Sequence, residues 1–437
     1  MAHLSNSWDV IIIGAGAAGL MAAAAAAARG LQVLVLEKNA KIGVKILMSG
    51  GTRCNITHHC DIRAIVDAFG KQGRFLHSAL AALSPEDVIE KIESMGVATK
   101  VESTGKIFPV SDRAIDVRDA LVKLATKSGA NIQTEQTVVS IDRTAEPPTS
   151  DAAAAEVSPT FTVRTTDDAF FCRSVLITSG GRSFPGCGTT GDGYDWARHF
   201  GHSIVNTVPA LTPVVCHVDW LHALKGITIE DVALEIHVDS AKTTKKKKTL
   251  NTGRGPLLFT HFGLSGPTAM NLSRTISLFE TNDRNDGSRL KIVCDFLPEY
   301  SADSLESEFR ARKKSAGKQP VFRELSTLIP RRLAETLMQH SDIAVNHPMA
   351  ELSNAQLARL TAALKRTEIP VHGTMGFRKA EVTAGGVNLK EVDSRDMQSK
   401  LCPGLFFAGE ILDLDGPIGG FNFQAAFSTG WLAGNHV

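Results

Sequence analysis

A strand, a glycine turn, a helix and a second strand ending in an acid occupy Val10 to Lys38. The segment reads Val-Ile-Ile-Ile-Gly14-Ala-Gly16-Ala-Ala-Gly19, then an alanine-rich stretch, then Leu31-Gln-Val-Leu-Val-Leu36-Glu37-Lys38. No other segment limits the fold so tightly, because each glycine answers a steric demand. Gly14 permits a tight turn, Gly16 lets the backbone approach a pyrophosphate, and Gly19 lets helix and strand pack closely. The amides that open the helix, beginning with Ala17 and Ala18, can bind phosphate. Glu37, with Lys38 beside it, stands near the roughly 20-residue spacing of a carboxylate that accepts hydrogen bonds from an adenosine ribose. Strands, helix and acid agree, so the segment is read as a dinucleotide site rather than an ordinary glycine-rich turn.

Val10 to Ala28 is also uncharged and long enough to cross a bilayer. Three glycines and an alanine run argue against that reading. No lysine or arginine precedes Arg29, so the charged start of a secretory signal is missing, and a soluble, cytoplasmic protein with no membrane partner is expected. At 437 residues, two or three structural units are expected. A formal net charge of +1 gives no global drive toward nucleic acid, although a local patch can supply one. The cysteines, Cys54, Cys60, Cys172, Cys187, Cys216, Cys294 and Cys402, form an odd set without a CxxC pair. Neither a disulfide framework nor a metal site is expected, and the thiols are read as reduced.

Asp61 to Gly129 is mainly helical in pattern, with Ser84-Pro85-Glu86-Asp87 a good helix start. Short strands are predicted around a turn at Gly96–Glu102 and Gly105–Pro109, and a single strand at Asn131 to Asp142. Thr144 to Ser158 reads as a hairpin tip between strands that pair near Val138–Ile141 and Phe161–Val163. Ser174 to Thr178 is a buried strand running into Gly180-Gly181, the kind of strand end that opens on a ligand crevice. Alternation at Pro213–Val218 and Val232–Val238 predicts an inserted antiparallel sheet or barrel, followed by helical spacing from Ser301 to Thr367. Strand-like segments return at Ala380–Val382 and Leu405–Ala408, the latter meeting Gly409-Glu410. The expected fold is therefore α/β. Residues 1–206 and 378–437 form a discontinuous nucleotide-binding domain, 207–300 and 368–377 a β-rich insert, and 301–367 a helical subdomain.

Six blocks together resemble one family, the BaiN/RdsA-like flavoproteins. They are Gly14 to Gly19, Lys45-Ile-Leu-Met-Ser49-Gly50-Gly51-Thr-Arg53-Cys54-Asn55, Thr178-Ser-Gly180-Gly181 with Ser183 and Pro185, Leu258 to Pro267, Ala380 to Gly386, and Gly409-Glu410 with Gly419-Gly420-Phe421-Asn422-Phe-Gln424. They span almost the whole chain in the family's order. Thr52 departs from the third glycine more usual before Arg-Cys-Asn. The resemblance implies an FAD-binding, two-dinucleotide-binding-type fold with an inserted β-barrel-like domain and a small helical subdomain. It implies FAD contacts at the first glycine block with Glu37 and Lys38, at Lys45, Ser49, Gly50, Gly51, Arg53 and Asn55, at Val138, at Thr178, Gly180 and Gly181, and at Gly409, Glu410, Gly419, Gly420, Phe421, Asn422 and Gln424. Gly50 and Gly51 would let backbone approach the flavin ring, while Arg53 and Asn55 would face it or a substrate; the bland alternative is a structural loop. Glu410 is expected to accept from ribityl hydroxyls. The helix opening at Gly419-Gly420-Phe421-Asn422 would favour the negative charge of reduced flavin.

For catalysis the candidates are Cys54, His261 and Glu381. A thiol beside a flavin can protonate a carbon, although cysteine is also a common small apolar filler. His261 would suit proton delivery near neutral pH, and a histidine satisfied by a neighbouring carbonyl is the alternative. From Arg310 to Arg332 eight basic residues face one acid, Glu324, an excess suited to phosphate and therefore to ribosomal RNA as a partner. Lys242 to Lys248 packs five more lysines into a hairpin tip. The leading expectation is an FAD-dependent oxidoreductase. A transient small-molecule donor, NAD(P)H, would supply hydride that passes through flavin N5 to an electron-poor C=C. A uridine in ribosomal RNA or an unsaturated steroid would be the acceptor. The alternatives are a flavin oxidase of a small amine or amino ketone, and a flavin-containing RNA-binding or assembly protein with little turnover.

Overall fold

The computed structural model describes residues 7–144, 160–239, 248–281 and 288–437. The chain divides into two compact units, Met1–Pro209 with Glu381–Val437, and Ala210–Ala380.

The first unit begins with β1 (Ser7–Ile13), α1 (Ala17–Ala28) and β2 (Val33–Leu36). Beyond it come α2 (Val44–Met48), β3 (Thr57–His58), α3 (Ile62–Ala68), α4 (His77–Ala82) and α5 (Pro85–Ser94). Ser84 caps α5 in a reciprocal capping box with Asp87, as its sequence implies. A hairpin of β4 (Thr99–Val101) and β5 (Lys106–Pro109) pairs with β3, and α6 (Ala114–Lys127) follows. The single strand expected over Asn131–Asp142 is two, β6 (Asn131–Gln133) and β7 (Val138–Arg143), which lie at opposite ends of one sheet. Between them Glu135 takes a left-handed φ of +59°, so the chain turns where the apolar pattern alone continues. Next are β8 (Phe161–Thr165), β9 (Ala169–Ile177), α7 (Asp192–His199) and β10 (Ile204–Ala210).

The second unit carries β11 (Val214–Val215), α8 (Asp219–Ala223), β12 (Thr228–Asp239), β13 (Lys248–Thr260), β14 (Gly263–Ser265), α9 (Pro267–Thr281) and β15 (Arg289–Asp295). Four helices follow, α10 (Ala302–Ser315), α11 (Val321–Leu328), α12 (Arg331–His340) and α13 (Asn354–Lys365), then β16 (Thr367–Pro370) and β17 (Gly373–Thr374). These strands form one sheet in the order β16-β15-β12-β13-β14-β11-β17, antiparallel at each described pairing. One core joins sheet and helices, with Phe259, Ile292 and Phe296 packed among the same cluster as Leu305, Phe309, Leu325 and Leu337. The alternation read at Pro213–Val218 yields only the two-residue β11. The hairpin tip at 145–158 and the lysines at 242–247 lie outside the described residues.

The chain then returns to the first unit as β18 (Val382–Val387), which pairs with β10, β19 (Leu405–Phe407) and α14 (Phe421–Gly434). In the main sheet β1 lies parallel between β2 and β9, and β2 is parallel to β6. β9 is shared along one edge: Ala169–Cys172 pairs antiparallel with β8, and Val175–Ile177 pairs parallel with β19. Buried on both faces, β2, β19 and the Val10–Ile13 and Val175–Ile177 stretches of β1 and β9 read as continuous apolar runs, and the C-terminal ends of β1, β9 and β19 lead into the glycine turns.

The alanine run has a packing cause. Residues Ala17 to Ala27 of α1 are all buried. A Cβ added at Gly430 of α14 would lie 2.2 Å from the Ala18 carbonyl oxygen, and one at Gly434 would lie 2.4 Å from that of Ala22. The two helices touch backbone to backbone, which only small residues on both allow. Among the described residues no helix is long and apolar enough to cross a membrane.

Candidate functional site

The three glycines at the end of β1 divide into two kinds. A Cβ on Gly14, whose φ is +106°, would meet the Thr178 carbonyl oxygen at 2.8 Å; one on Gly19 would lie 1.9 Å from the Gly14 carbonyl oxygen and 2.7 Å from Thr178 Oγ1. Both positions are glycine because protein fills the space. Gly16 has φ −84° and nothing within 4 Å of an added Cβ, so its missing side chain keeps space open at the start of α1. Thr178 serves the turn itself, its hydroxyl donating to Ile13 O at 3.0 Å and Gly14 O at 2.9 Å. Gly409 brings the end of β19 to the same place, with an added Cβ 2.8 Å from the Ala18 methyl. Gly180 is left-handed at φ +74° against Thr189.

Glu37 is buried at the end of β2. Its carboxylate accepts from Ala15 N at 2.9 Å, Asn39 N at 2.9 Å and Asn39 Nδ2 at 2.8 Å. A carboxylate offers about four acceptor sites, so capacity remains for a hydroxyl. Lys38 Nζ donates to Thr190 Oγ1 and Asp192 Oδ2, each at 2.6 Å. Lys38, Val138 and Trp196 are among the residues lining a cleft of about 600 Å³ between this strand end, the start of β7 and α7. Asn39 is the residue that sequence reasoning missed here; its only signal was its place two residues after the acid.

Lys45 and Glu410 meet as an ion pair. Lys45 also donates to Ser183 Oγ at 2.6 Å, while Glu410 Oε1 accepts from Ser183 Oγ at 2.5 Å and Thr383 N at 2.9 Å. Thr383 Oγ1 in turn accepts from Arg182 N at 2.8 Å and Ser183 N at 3.0 Å. An added Cβ on Gly181 would strike that hydroxyl at 2.4 Å. Residues from four distant blocks thus form one hydrogen-bonded network around a carboxylate that is only 19% exposed.

The loop after α2 is left-handed almost throughout, with φ +55° at Gly50, +66° at Gly51, +69° at Thr52 and +62° at Cys54. Thr52 therefore holds a conformation that suits glycine, and its strain is local to this turn. Ser49 donates to Ile46 O at 2.8 Å. Arg53 is fixed sideways: it pairs with Glu102 at 2.7 Å and Asp112 at 3.4 Å, and its guanidinium carbon lies 3.9 Å from the centre of the Phe108 ring. The Lys100 ammonium, more than Arg53, holds the Asp112 carboxyl below its ordinary value. Asn55 is buried, and its Oδ1 has no hydrogen-bond partner among the described residues.

Cys54 is enclosed by protein and has no exposed surface. Burial pushes its thiol up to about 12, outweighing the Ser49 hydrogen bond that acts in the opposite sense. Such a group remains a neutral thiol, and with no exposed surface it packs as the small apolar filler that was the alternative reading of its residue type.

At the start of α14, Gly420 is left-handed at φ +93° and offers no side-chain cap. An added Cβ there would lie 2.5 Å from Thr57 C. Gly419 O receives His58 Nδ1 at 3.0 Å, and the His58 ring stacks on Phe421 at 4.9 Å. Asn422 ties down the preceding loop by bonding Gly416 N at 2.8 Å and Gly416 O at 2.9 Å. Gln424 faces the interior: Oε1 accepts from Thr57 at 2.6 Å, and Nε2 donates to Leu83 O at 3.1 Å and Ser428 at 2.9 Å. The cofactor contact expected of that side chain is replaced by an internal tie between α14 and the segment before α5. The first-turn amides of α14 are left to a ligand or water.

Glu381 reaches solvent, yet the protein around it withdraws enough water to push its carboxyl up, against the pull of Lys45 and Lys106. His261 belongs to the second unit, exposed in the turn between β13 and β14 and edge-on to Phe262 at 4.9 Å. Cys187 is buried against Met48, with 3.1 Å between the sulfurs.

Residues 8–436 match the family described as HI0933-like protein Rossmann domain. The chain belongs to the HI0933-like family. Its relatives include a ribosomal RNA dihydrouridine synthase from Escherichia coli (strain K12), 32% identical over 428 residues, 97% of this chain and 96% of that one. A 3-dehydro-bile acid delta(4,6)-reductase from Clostridium scindens is 30% identical over 430 residues, 97% of each chain. A ribosomal RNA dihydrouridine synthase from Haemophilus influenzae is 31% identical over 432 residues, 98% of each chain. The HI0933-like chain is thus a flavin-dependent oxidoreductase with an α/β Rossmann-like, FAD-binding fold. Its residues fit that group: the open space at Gly16, the unpartnered Asn55 oxygen and the uncapped start of α14 are features that internal packing does not explain.

Proposed function

We propose that this protein reduces an electron-poor carbon–carbon double bond, with NAD(P)H as the transient hydride source and a uridine of ribosomal RNA as the acceptor. What carries the reading is that relatives at 30–32% identity over nearly the whole chain are named for reducing such bonds, in a uridine and in a steroid. The RNA choice is supported by Lys314, Lys318 and Arg323, exposed cations of α10, α11 and the turn between them that form no ion pair among the described residues. The insert is read as barrel-like, because the outermost strands β16 and β17 are joined by only two residues, which draws the two sheet edges together.

Gly14, Gly16 and the first turn of α1 would hold the pyrophosphate, Glu37 the adenosine ribose, and Glu410 the ribityl chain. The 49–55 loop and the start of α14 would hold the ring. FAD when bound supplies hydride at N5. Glu381, whose carboxyl burial pushes above its ordinary value, would give the proton that the reduced carbon skeleton still needs, with Lys45 and Lys106 positioned to favour the carboxylate left behind.

The test is anaerobic. Protein carrying FAD is treated with NADPH or NADH, then mixed with ribosomal RNA from cells lacking the gene, and dihydrouridine is measured by nucleoside mass spectrometry. Flavin bleaching followed by new dihydrouridine is expected. Bleaching by amines but not by either nicotinamide sinks the proposal.

A further inference from the structure

Lys38 and Asn39, the two residues after the ribose-binding acid, both hold the loop that leads into α7. Lys38 Nζ bonds Thr190 and Asp192, each at 2.6 Å, and Thr190 in turn donates to Asp192 at 2.8 Å. Asn39 Nδ2 spans two partners, Glu37 Oε1 at 2.8 Å and Cys187 O at 3.1 Å. Gly188 is glycine because an added Cβ would lie 2.5 Å from that same amide nitrogen. The loop has left-handed residues along its length, Phe184 at φ +54°, Gly188 at +91° and Gly191 at +88°, so it changes direction where it meets Asn39 and again before α7. Lys38, Thr190 and Asp192 also line the cleft of about 600 Å³ whose far side is the start of β7.

We propose that residues 184–192 form an adenosine clasp, in which the Lys38–Asp192 ion pair and Asn39 are positioning elements that orient Glu37 and set how fast the dinucleotide leaves. The proposal rests on the FAD reading of the site. Asn39 gives Glu37 two of its three hydrogen bonds and is itself anchored on the loop, so loosening the loop loosens the carboxylate. The ion pair closes one side of the cleft with side chains 28% and 43% exposed, enough water contact for salt to weaken it.

The experiment follows FAD release from loaded protein by the rise of flavin fluorescence after dilution, for the native chain, Lys38→Met, Asp192→Asn and the double variant, at low and high sodium chloride. Each single variant should release FAD about fivefold faster than the native chain at low salt, as expected for breaking a half-exposed ion pair. The double variant should be no faster than the singles, and added salt should speed only the native chain. Apo-protein melting should stay within about 2 °C of the native value, since a half-exposed pair contributes little to stability. Unchanged release in the singles, additive effects in the double variant, or equal salt sensitivity in all four overturns the clasp. Failure of the native chain to bind FAD at all overturns the FAD reading instead.

Discussion

Gly16 and Gly19 stand three residues apart in one motif and answer to different masters. Gly19→Ala would drive a methyl to within 1.9 Å of the Gly14 carbonyl, a clash that must displace β1 or α1. Overpacking of that kind costs about 1–3 kcal/mol or more, and the variant should melt well below the native chain. Gly16→Ala meets nothing within 4 Å and has an ordinary φ of −84°. It should keep its urea midpoint and still purify without FAD, because the methyl occupies the space the pyrophosphate needs. Normal flavin content in Gly16→Ala would refute that placement. Glu381→Gln separates chemistry from binding in the same way: FAD content and reduction by nicotinamide should persist, while product formation falls about 10²-fold or more. Retained turnover would return Glu381 to a structural role. What the sequence made legible at this scale was local. Three glycines and an acid within one strand-turn-helix-strand unit carry their own geometry. The fates of Cys54 and Gln424 were not legible. Gln424 is claimed by Leu83, 341 residues earlier, and Cys54 is enclosed by a loop whose left-handed course no apolar pattern records.

Helix α1 offered an alanine run with no polar face and hence no sign of what it packs on. The answer lies at the other end of the chain, in the glycines of α14. Gly430→Ala should force the two helices apart, because its methyl would lie 2.2 Å from the Ala18 carbonyl. A drop of about 2 kcal/mol in urea unfolding is expected, together with weaker FAD retention if α1 and α14 both begin at the cofactor cradle, as proposed. Full stability in that variant would show that the helices do not meet as described. A second element-scale device is His202, just beyond α7, buried with Nε2 2.7 Å from Ser399 Oγ and Nδ1 3.4 Å from Glu391. Burial lowers its pKa, against the opposing influence of Glu391. The sign follows from proton binding. The unfolded chain takes up a proton near the ordinary 6.5, while the folded chain stays neutral to lower pH, so the unfolded state binds more protons. Stability is complete above pH 6.5 and declines as pH falls through 6.5 toward the folded value. Urea midpoints measured at about pH 7.5 and about pH 5.5 should show this decline. His202→Gln should lower stability at both values while reducing the difference between them. An unreduced difference would remove His202 from the account.

Over the whole molecule a formal charge of +1 provides no general attraction to nucleic acid, so affinity for RNA must arise from a few placed cations. The count of eight basic residues between Arg310 and Arg332 shrinks when each side chain is followed. Arg310 is paired with Glu306 at 2.8 Å and Arg312 with Glu324 at 3.0 Å. Lys313 donates to Leu352 O at 2.7 Å, Arg332 to the carbonyls of Ala223 and Lys225, and Arg331 lies over Phe322. Lys314, Lys318 and Arg323 remain exposed without an ion pair among the described residues, open to phosphate. If they hold the RNA, binding of a ribosomal RNA fragment should weaken steeply with salt. Replacing all three with alanine should make the slope of log affinity against log salt shallower by about 2, at roughly 0.7 for each single-strand phosphate that is no longer neutralised. The same triple variant should still take hydride from NAD(P)H into bound FAD at the native rate, because the residues proposed for the cradle belong to the other unit. Filter binding across salt concentrations and anaerobic stopped-flow absorbance provide the two readings. A slope unchanged by the triple substitution would detach the helical region from RNA while leaving the double-bond reductase standing, and would move the search for the substrate toward small unsaturated molecules.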